Sequence, residues 1–166
     1  MKKFGKLLKD NAVFLILLVA VVGFFSVFFF NKVDGESMTN TLPDGKILFC
    51  TRLGTPKVGD IIVCDITAEL EGGKVKKRLI KRVIAKGGDT ISIENGKVTV
   101  NGEVLDEPYI KETMTYVPEN SQTYPLTVPD GEYFVMGDNR NASHDSRDSR
   151  YGLVSEDNVV GIVLFH

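Results

Sequence analysis

The first long stretch of the chain is uniformly apolar. Residues 12–30 read AVFLILLVAVVGFFSVFFF and contain no charged side chain. A helix rises about 1.5 Å per residue, so this segment would be roughly 28 Å long, close to the hydrocarbon thickness of a bilayer. It ends in bulky phenylalanines where a cleaved secretory leader needs small residues, which favours an uncleaved anchor. We therefore predict one transmembrane helix over residues 12–30.

Positive charge is concentrated ahead of that segment. The first ten residues contain one carboxylate and an excess of lysines, namely Lys2, Lys3, Lys6 and Lys9. Positively charged flanks remain on the cytoplasmic side of a membrane. We predict that residues 1–11 are cytoplasmic and residues 31–166 extracytoplasmic, as in a single-pass type II protein of the plasma membrane.

Beyond residue 30 the helical period disappears, and short apolar runs alternate with turn residues. The predicted strands are Ile47–Cys50, Asp60–Ile66, Val75–Lys86, Thr90–Glu94, Lys97–Val100, Glu132–Met136 and Val159–Leu164. The pair Asn95-Gly96 predicts a two-residue hairpin, because both residues tolerate positive φ. Residues 103–125 are polar and irregular. Short strands with Gly-rich turns indicate an all-β fold, an antiparallel barrel or sandwich.

Composition narrows the function classes. The 166 residues are 25% charged with a formal net charge of −2, which gives no basic footprint for nucleic acid. With only two histidines and no metal-binding spacing, we predict no metal site. Cys50 and Cys64 are too few for a disulfide framework, and both one bridge and two buried thiols remain open.

A lysine in the longest predicted strand is the first candidate for chemistry. Strand alternation places Leu79, Lys81 and Val83 on one face. Burial there would lower the pKa of the amine below its ordinary value and make it a competent base. The alternative is an amphipathic strand whose lysine reaches solvent.

Ser37 is the second candidate, because it follows the apolar segment closely. It lies in the run Gly35-Glu36-Ser37-Met38, where Gly35 permits close backbone approach. A serine becomes a nucleophile only beside a base. A plain turn residue is the alternative.

A polar run follows the strand Glu132–Met136. It contains Asp138, Ser143, His144, Asp145 and Arg147. Asp–Arg pairs that shape a loop would explain it equally well. Because sequence neighbours diverge in direction, Asp145 is poorly placed to orient His144, which argues against a Ser-His-Asp triad.

A basic run precedes Lys81 in the same strand. It consists of Lys74, Lys76, Lys77 and Arg78. We interpret it as a solvated face, with anionic lipid head groups as the alternative partner.

Taken together, these stretches resemble the type I signal peptidases, membrane-bound serine proteases with a Ser/Lys dyad. The family motif Ser-Met-x-Pro-Thr-Leu reads Ser37-Met38-Thr39-Asn40-Thr41-Leu42 here. Three further motifs match in the correct order: Gly59–Val63, Leu79–Ile84 with Gly88-Asp89, and Gly137–Arg147. Asn40 and Gly87 replace usual prolines, which loosens two turns because proline fixes φ.

The resemblance implies a role for each matching residue. Ser37 would attack the scissile carbonyl, with neutral Lys81 as general base and Ser143 orienting its amine. The Ser37 backbone N–H would donate to the oxyanion, and Gly35 stands where some relatives carry a supporting hydroxyl. The other predicted site residues would hold the shape of the site: Met38, Arg82, Asp138, Asp145 and Arg147.

The resemblance also implies a catalytic domain with a smaller β insertion at about residues 95–129, without metal or cofactor. Its substrates would be secretory preproteins with small residues at the first and third positions before the cut. They would bind extended along strand edges at Asp34–Ser37 and Leu79–Lys81. We expect a monomer at the lipid bilayer, with Met38 reaching the interface.

Two other protein classes compete with this interpretation. Self-cleaving repressors share the Ser/Lys β core but lack a membrane anchor. A membrane-tethered β module that binds partners without catalysis would carry Lys81 as an ordinary charged strand residue. Cleavage assays on Ser37 and Lys81 variants distinguish it from a protease.

Overall fold

The computed structural model describes residues 11–110 and 112–165. Residues 1–10 of the predicted cytoplasmic segment, with their lysines, lie outside the described residues. The same is true of His166, the last residue of the predicted catalytic domain.

The apolar N-terminal segment divides into a helix and a strand. Helix α1 spans Ala12–Val27, and strand β1 spans Phe28–Lys32. β1 pairs antiparallel with β2 (Ile47–Thr51). The predicted helix end at residue 30 is therefore wrong, because the backbone of the last phenylalanines pairs in a sheet. In the part of the chain that the structure describes, no helix has the length and apolar character needed to cross a bilayer.

The other elements are short strands joined by turns and two short 3-10 segments. The remaining strands are β3 (Ile61–Leu70), β4 (Gly73–Lys86), β5 (Thr90–Glu94), β6 (Lys97–Val100), β7 (Glu103–Val104), β8 (Leu126–Thr127), β9 (Glu132–Met136), β10 (Val154–Ser155) and β11 (Val159–Phe165). The 3-10 segments are Arg140–Ala142 and Glu156–Asn158. The strand pairs are antiparallel. The predicted all-β antiparallel class is thus confirmed.

The larger sheet is open. Its strand order is β1-β2-β11-β3-β4-β9-β10, so β1 and β10 form its two edges and the described strands do not close into a barrel. β4 pairs with the whole of β3 through its own residues Gly73 to Arg82. β9 joins β4 only from Arg82 onward. The part of β4 before Arg82 therefore keeps one backbone edge without a strand partner among the described residues.

The smaller sheet has the order β7-β6-β5-β8. The predicted hairpin between β5 and β6 is confirmed, with φ values of 50° at Asn95 and 74° at Gly96. This sheet begins at Thr90, upstream of the predicted start of the insertion. The division of the chain into domains stays a prediction.

Three hydrophobic clusters form the core, and β4 contributes to all of them. Val83 packs in a cluster with Ile62 and Cys64 between the central strands. Ile80 packs with Cys50 under the N-terminal strands, and a third cluster lies under the smaller sheet. A strand whose side chains pack into several clusters is rigid, and a rigid strand can position the side chains of a functional site accurately.

The two cysteines are free and buried. Burial raises the pKa of Cys50 to about 11 and that of Cys64 to about 12. The disulfide alternative is therefore not realised, and both thiols act as small apolar core residues.

Gly161 lies in β11 between two neighbouring strands. A Cβ there would lie 2.5 Å from the carbonyl oxygen of Thr51 and 2.6 Å from a ring carbon of Phe29. We predict that Gly161→Ala lowers the free energy of unfolding by about 1–3 kcal/mol, because the added methyl overpacks this position. Urea unfolding followed by circular dichroism measures the change. Gly23→Ala is the control, since a Cβ at Gly23 meets nothing within 4 Å, and equal loss of stability in both variants would contradict the prediction.

Candidate active site

Ser37 and Lys81 are in direct contact. Lys81 Nζ donates a hydrogen bond to Ser37 Oγ at 2.6 Å and a second to the carbonyl oxygen of Ile80 at 3.0 Å. The Lys81 side chain is almost fully enclosed, with 3% of the residue exposed. Burial lowers the pKa of this amine, and the negative charge of Asp145 opposes that shift only in part. The structure thus brings together the two residues that the sequence singled out separately.

The position of Lys81 in strand β4 explains why its amine is shielded from water. Leu79 and Val83, which flank Lys81 on the same face, both pack against the first hydrophobic cluster. Across the β3–β4 pair, Lys81 lies opposite Ile62, which is fully buried. The predicted alternation along this strand is therefore confirmed around Lys81.

Residues 34–42, which surround Ser37 and are called the serine loop below, form a set of tight turns. The backbone N–H groups of Thr41 and Leu42 both donate to the carbonyl oxygen of Met38, at 2.9 and 2.6 Å. Met38 is 1% exposed and packs in the second cluster, so its expected reach to the membrane interface is wrong. Its sulfur instead accepts a hydrogen bond from the backbone N–H of Asp138 at 3.4 Å. Met38 therefore links the loop to the core and to the polar run.

Gly35 has a conformational role in this loop. Its φ is 90°, a region that favours glycine. Its N–H donates to Asp44 Oδ1 at 2.9 Å and is thus already used within the loop. By contrast, no backbone hydrogen bond among the described residues uses the N–H of Ser37.

The polar run approaches Ser37 closely at Gly137. A Cβ at Gly137 would overlap Ser143 Oγ and lie 2.5 Å from the carbonyl oxygen of Ser37. Asn139 N–H donates to that same carbonyl at 3.0 Å. Ser143 is buried beside it, and its hydroxyl helps to lower the pKa of Asp145. This hydroxyl makes no hydrogen bond to Lys81, so the predicted contact is not formed here. Sequence reasoning did not single out Gly137, although it lies in a matched motif.

The predicted pair of Arg82 and Asp138 is present and connects three segments. Arg82 Nε and Nη2 donate to the Asp138 carboxylate at 2.8 and 2.6 Å. Thr41 also donates to this carboxylate. Asn40 Nδ2 donates to the Asp138 backbone oxygen at 3.0 Å. Where the family's usual proline is replaced, a side-chain hydrogen bond thus holds the serine loop against the polar run.

The second predicted pair, Asp145 with Arg147, is fully buried. Arg147 Nε and Nη2 donate to the two carboxylate oxygens at 2.8 and 2.9 Å, and Gly137 N–H donates at 3.0 Å. Burial alone would raise the pKa of Asp145, but these bonds and the charge of Arg147 outweigh it and keep the pKa below its ordinary value. The ring of His144 stacks on Tyr151, with centroids 5.2 Å apart. The Asp145 carboxylate is bonded to Arg147 and Gly137, and no hydrogen bond joins it to His144 among the described residues.

Sequence reasoning missed a support that comes from the polar stretch after β7. Arg140 forms an almost fully enclosed ion pair with Glu107, whose two side chains are 1% and 7% exposed. The ring of Tyr109 lies 4.1 Å from the Arg82 guanidinium. Nothing in the local sequence of Glu107 or Tyr109 identifies partners so distant along the chain.

A shallow cleft of about 160 Å³ opens at the dyad. Its lining combines Ser37 and Lys81 with Leu79, His144 and Tyr151. Three charged side chains also line it, those of Asp34, Glu36 and Lys77, together with Gly35 and Ala142. The volume admits small side chains, and the open edge of β4 lies beside it.

Comparison with known proteins gives consistent results. The family model described as "Signal peptidase, peptidase S26" matches residues 6–166. The chain is 36% identical to signal peptidase I T of Bacillus subtilis, over 80% of this chain and 70% of that protein. It is 34% identical to the signal peptidase I of Bacillus licheniformis, over 95% of this chain and 89% of that protein.

A solved structure extends the likeness to the fold. A signal peptidase I from Enterococcus faecalis superposes with a TM-score of 0.52 and 32% identity, covering 68% of this chain and 99% of that one. With the family model matching nearly the whole chain, this protein belongs to the peptidase S26 family of signal peptidases.

Proposed function

We propose that Ser37 and Lys81 form the catalytic dyad with which this peptidase removes signal peptides from secretory preproteins. The observation that carries the proposal is the 2.6 Å hydrogen bond between Ser37 Oγ and an amine that is 3% exposed. A serine hydroxyl is a weak nucleophile until a neighbouring base accepts its proton. A buried lysine of lowered pKa is such a base.

The reaction follows from the contacts of the amine. As Ser37 Oγ attacks the scissile carbonyl, neutral Lys81 accepts the hydroxyl proton and becomes an ammonium. The Ile80 carbonyl oxygen, 3.0 Å away, stabilises that ammonium. Lys81 then gives the proton to the leaving amine, and a water activated by Lys81 hydrolyses the acyl-enzyme. Ser143 would orient the amine only after its buried hydroxyl moves within hydrogen-bonding distance of Lys81, a contact that is not formed in this structure.

The oxyanion is stabilised by the backbone N–H of Ser37. This donor is not used by any backbone hydrogen bond among the described residues. The N–H of Gly35 is bonded to Asp44 and is not available in this geometry. One such donor contributes about 3 kcal/mol of transition-state stabilisation in comparable sites.

The substrate binds as an added strand. The edge of β4 before Arg82 has no strand partner among the described residues, and the loop Asp34–Ser37 lines the facing side of the cleft. The small cleft volume favours small residues at the first and third positions before the cut. A non-catalytic binding module is not favoured, because it would not need a buried lysine bonded to a serine. One chain supplies both dyad residues, so we expect a monomer to be active.

We also infer that the protein works at the plasma membrane, with its β domain on the extracytoplasmic side. An aromatic face, formed by Phe28, Phe30, Phe49 and Phe165, lies beside the apolar helix α1. Phe30 is 60% and Phe165 72% exposed. Large exposed apolar patches mark interaction sites, and lipid is the partner that a continuous aromatic and apolar surface fits.

Removal of either dyad side chain should abolish catalysis. We predict that Ser37→Ala and Lys81→Ala each lower the rate of preprotein cleavage by about 10³-fold or more, because nucleophile and base act as a unit. The measurement is the appearance of mature product with purified full-length protein in detergent. The matched controls are Ser149→Ala and Lys86→Ala, which change exposed residues outside the cleft. Full activity of either dyad variant would refute the mechanism.

The pH dependence follows from the lowered pKa of Lys81. Cleavage needs the neutral amine, so kcat/KM should fall as the pH drops through the pKa of Lys81 in the free enzyme. Because burial lowers that pKa, we predict that the midpoint of the acid limb lies below 10.5, the ordinary value for lysine. A pH series with a peptide substrate whose own groups do not titrate in this range measures it. A midpoint at or above 10.5 would mean that the base is not desolvated.

The aromatic face allows a direct test of membrane contact. The chain contains no tryptophan, so Phe165→Trp introduces a single fluorescent reporter. We predict that vesicles with brominated acyl chains quench its emission, because the ring enters the lipid. Val117→Trp, at an equally exposed site outside this face, is the control and should stay unquenched. Equal quenching at both sites, or at neither, would contradict the proposed orientation.

A further inference from the structure

Lys77 is the residue of the basic run that faces the active-site cleft. It lines the same cleft as Ser37 and Lys81. It is half-buried, whereas its neighbour Lys76 is exposed. The signal peptidase reaction described above does not use this side chain.

Only some residues of the basic run form ion pairs with carboxylates. Lys74 forms an ion pair with Glu69 at 3.1 Å, and Arg78 forms one with Asp65 at 2.7 Å. Lys77 has no such carboxylate partner among the described residues. The ammonium beside the cleft is therefore free to pair with a charge that arrives with the substrate.

An aromatic pair holds this ammonium at the cleft. Lys77 Nζ lies 5.7 Å from the centroid of the Tyr151 ring. Tyr151 is 7% exposed and stacks with His144, and all three residues line the cleft. A cation within about 6 Å of an aromatic face is attracted to it. Lys77 is thus kept near the cleft rather than extended into solvent.

The register of β4 sets the substrate position that meets Lys77. Residues Lys77, Leu79 and Lys81 share one strand face. Lys77 lies four residues before Lys81, which corresponds to about 13 Å along a strand. A peptide extended along the open edge advances at the same rate. If the peptide runs parallel to β4 and the residue before the cut lies at Lys81, the residue at the level of Lys77 is the fifth before the cut.

We propose that Lys77 is a specificity-determining residue that favours an acidic side chain at the fifth position before the cut. The inference rests on the proposed dyad and on binding of the substrate along β4. Asp34 and Glu36 also line the cleft, which makes the rest of it unfavourable to acids. The preference is therefore restricted to the level of Lys77.

Peptides that differ at one position test the proposal. Three substrates carry Glu, Gln or Lys at the fifth position before the cut, and kcat/KM is measured in neutral detergent at low salt. The wild-type chain should cleave the Glu peptide about two- to fivefold faster than the Lys peptide, the range expected for a cross-strand charge pair. Added salt should reduce this ratio, because ions screen exposed charges. Lys77→Glu should reverse the order of the Glu and Lys peptides.

Lys76→Glu is the matched control, because it makes the same charge change on the opposite face of the strand. It should leave the order of the peptides as in the wild-type chain. An unchanged Glu-to-Lys ratio in Lys77→Glu, or an equal change in Lys76→Glu, would overturn the proposal. So would an effect of Lys77→Glu that needs vesicles of anionic lipid and is the same for both peptides, since Lys77 would then contact head groups.

The outcome is separable from that of the dyad. Cleavage by Ser37→Ala at the wild-type rate would refute the proposed function. A normal dyad result with an unaltered peptide order in Lys77→Glu would refute the role of Lys77 alone.

Discussion

The site depends on one hydrogen bond, the contact between the buried Lys81 amine and the Ser37 hydroxyl. Burial of Lys81 favours the neutral amine, and any unpaired carboxylate nearby would favour the ammonium. Two buried carboxylates do lie near it, Asp138 and Asp145, and both raise the pKa of the amine. Each is paired with its own arginine, Arg82 or Arg147. The charge of Arg147 lowers the pKa of the amine and so opposes the effect of the carboxylates, and desolvation remains the largest influence on Lys81.

The position of Ser37 is set by the polar run as much as by its own loop. Asn40 and Asn139 each form a hydrogen bond between the two segments, and Gly137 leaves the room that they need. The base, in contrast, comes from a strand enclosed by hydrophobic clusters. The 2.6 Å hydrogen bond between Ser37 Oγ and Lys81 Nζ therefore requires the serine loop and strand β4, which are supported independently, to come together. This explains why a site of two residues needs buried Asp–Arg pairs around it.

Sequence patterns predicted those features of the fold that neighbouring residues determine. The bounds of β9 (Glu132–Met136) were predicted because turn residues enclose an apolar run. Strand alternation placed Lys81 on an apolar face but left open whether its amine is buried or reaches solvent, and the structure shows that it is buried. β1 was missed because Phe28–Lys32 begins with phenylalanines that continue an apolar run, and such a run fits a helix or a strand equally well. Pairing with β2 decides between them. The ion pair of Glu107 with Arg140 was missed for a related reason, since nothing near either residue specifies a partner so far along the chain.

Strand β4 shows how one residue type acquires two kinds of chemistry. Lys77 and Lys81 share a face, but burial increases along it from the hairpin toward the centre of the sheet. At Lys81 the surrounding apolar side chains remove water, and the amine is suited to accept a proton. Lys77 is only half-buried, and its ammonium lies beside an aromatic ring, so it is suited to pair with an anion. The depth of each residue in the sheet would therefore separate the proposed catalytic role of Lys81 from the proposed selective role of Lys77 on a single strand.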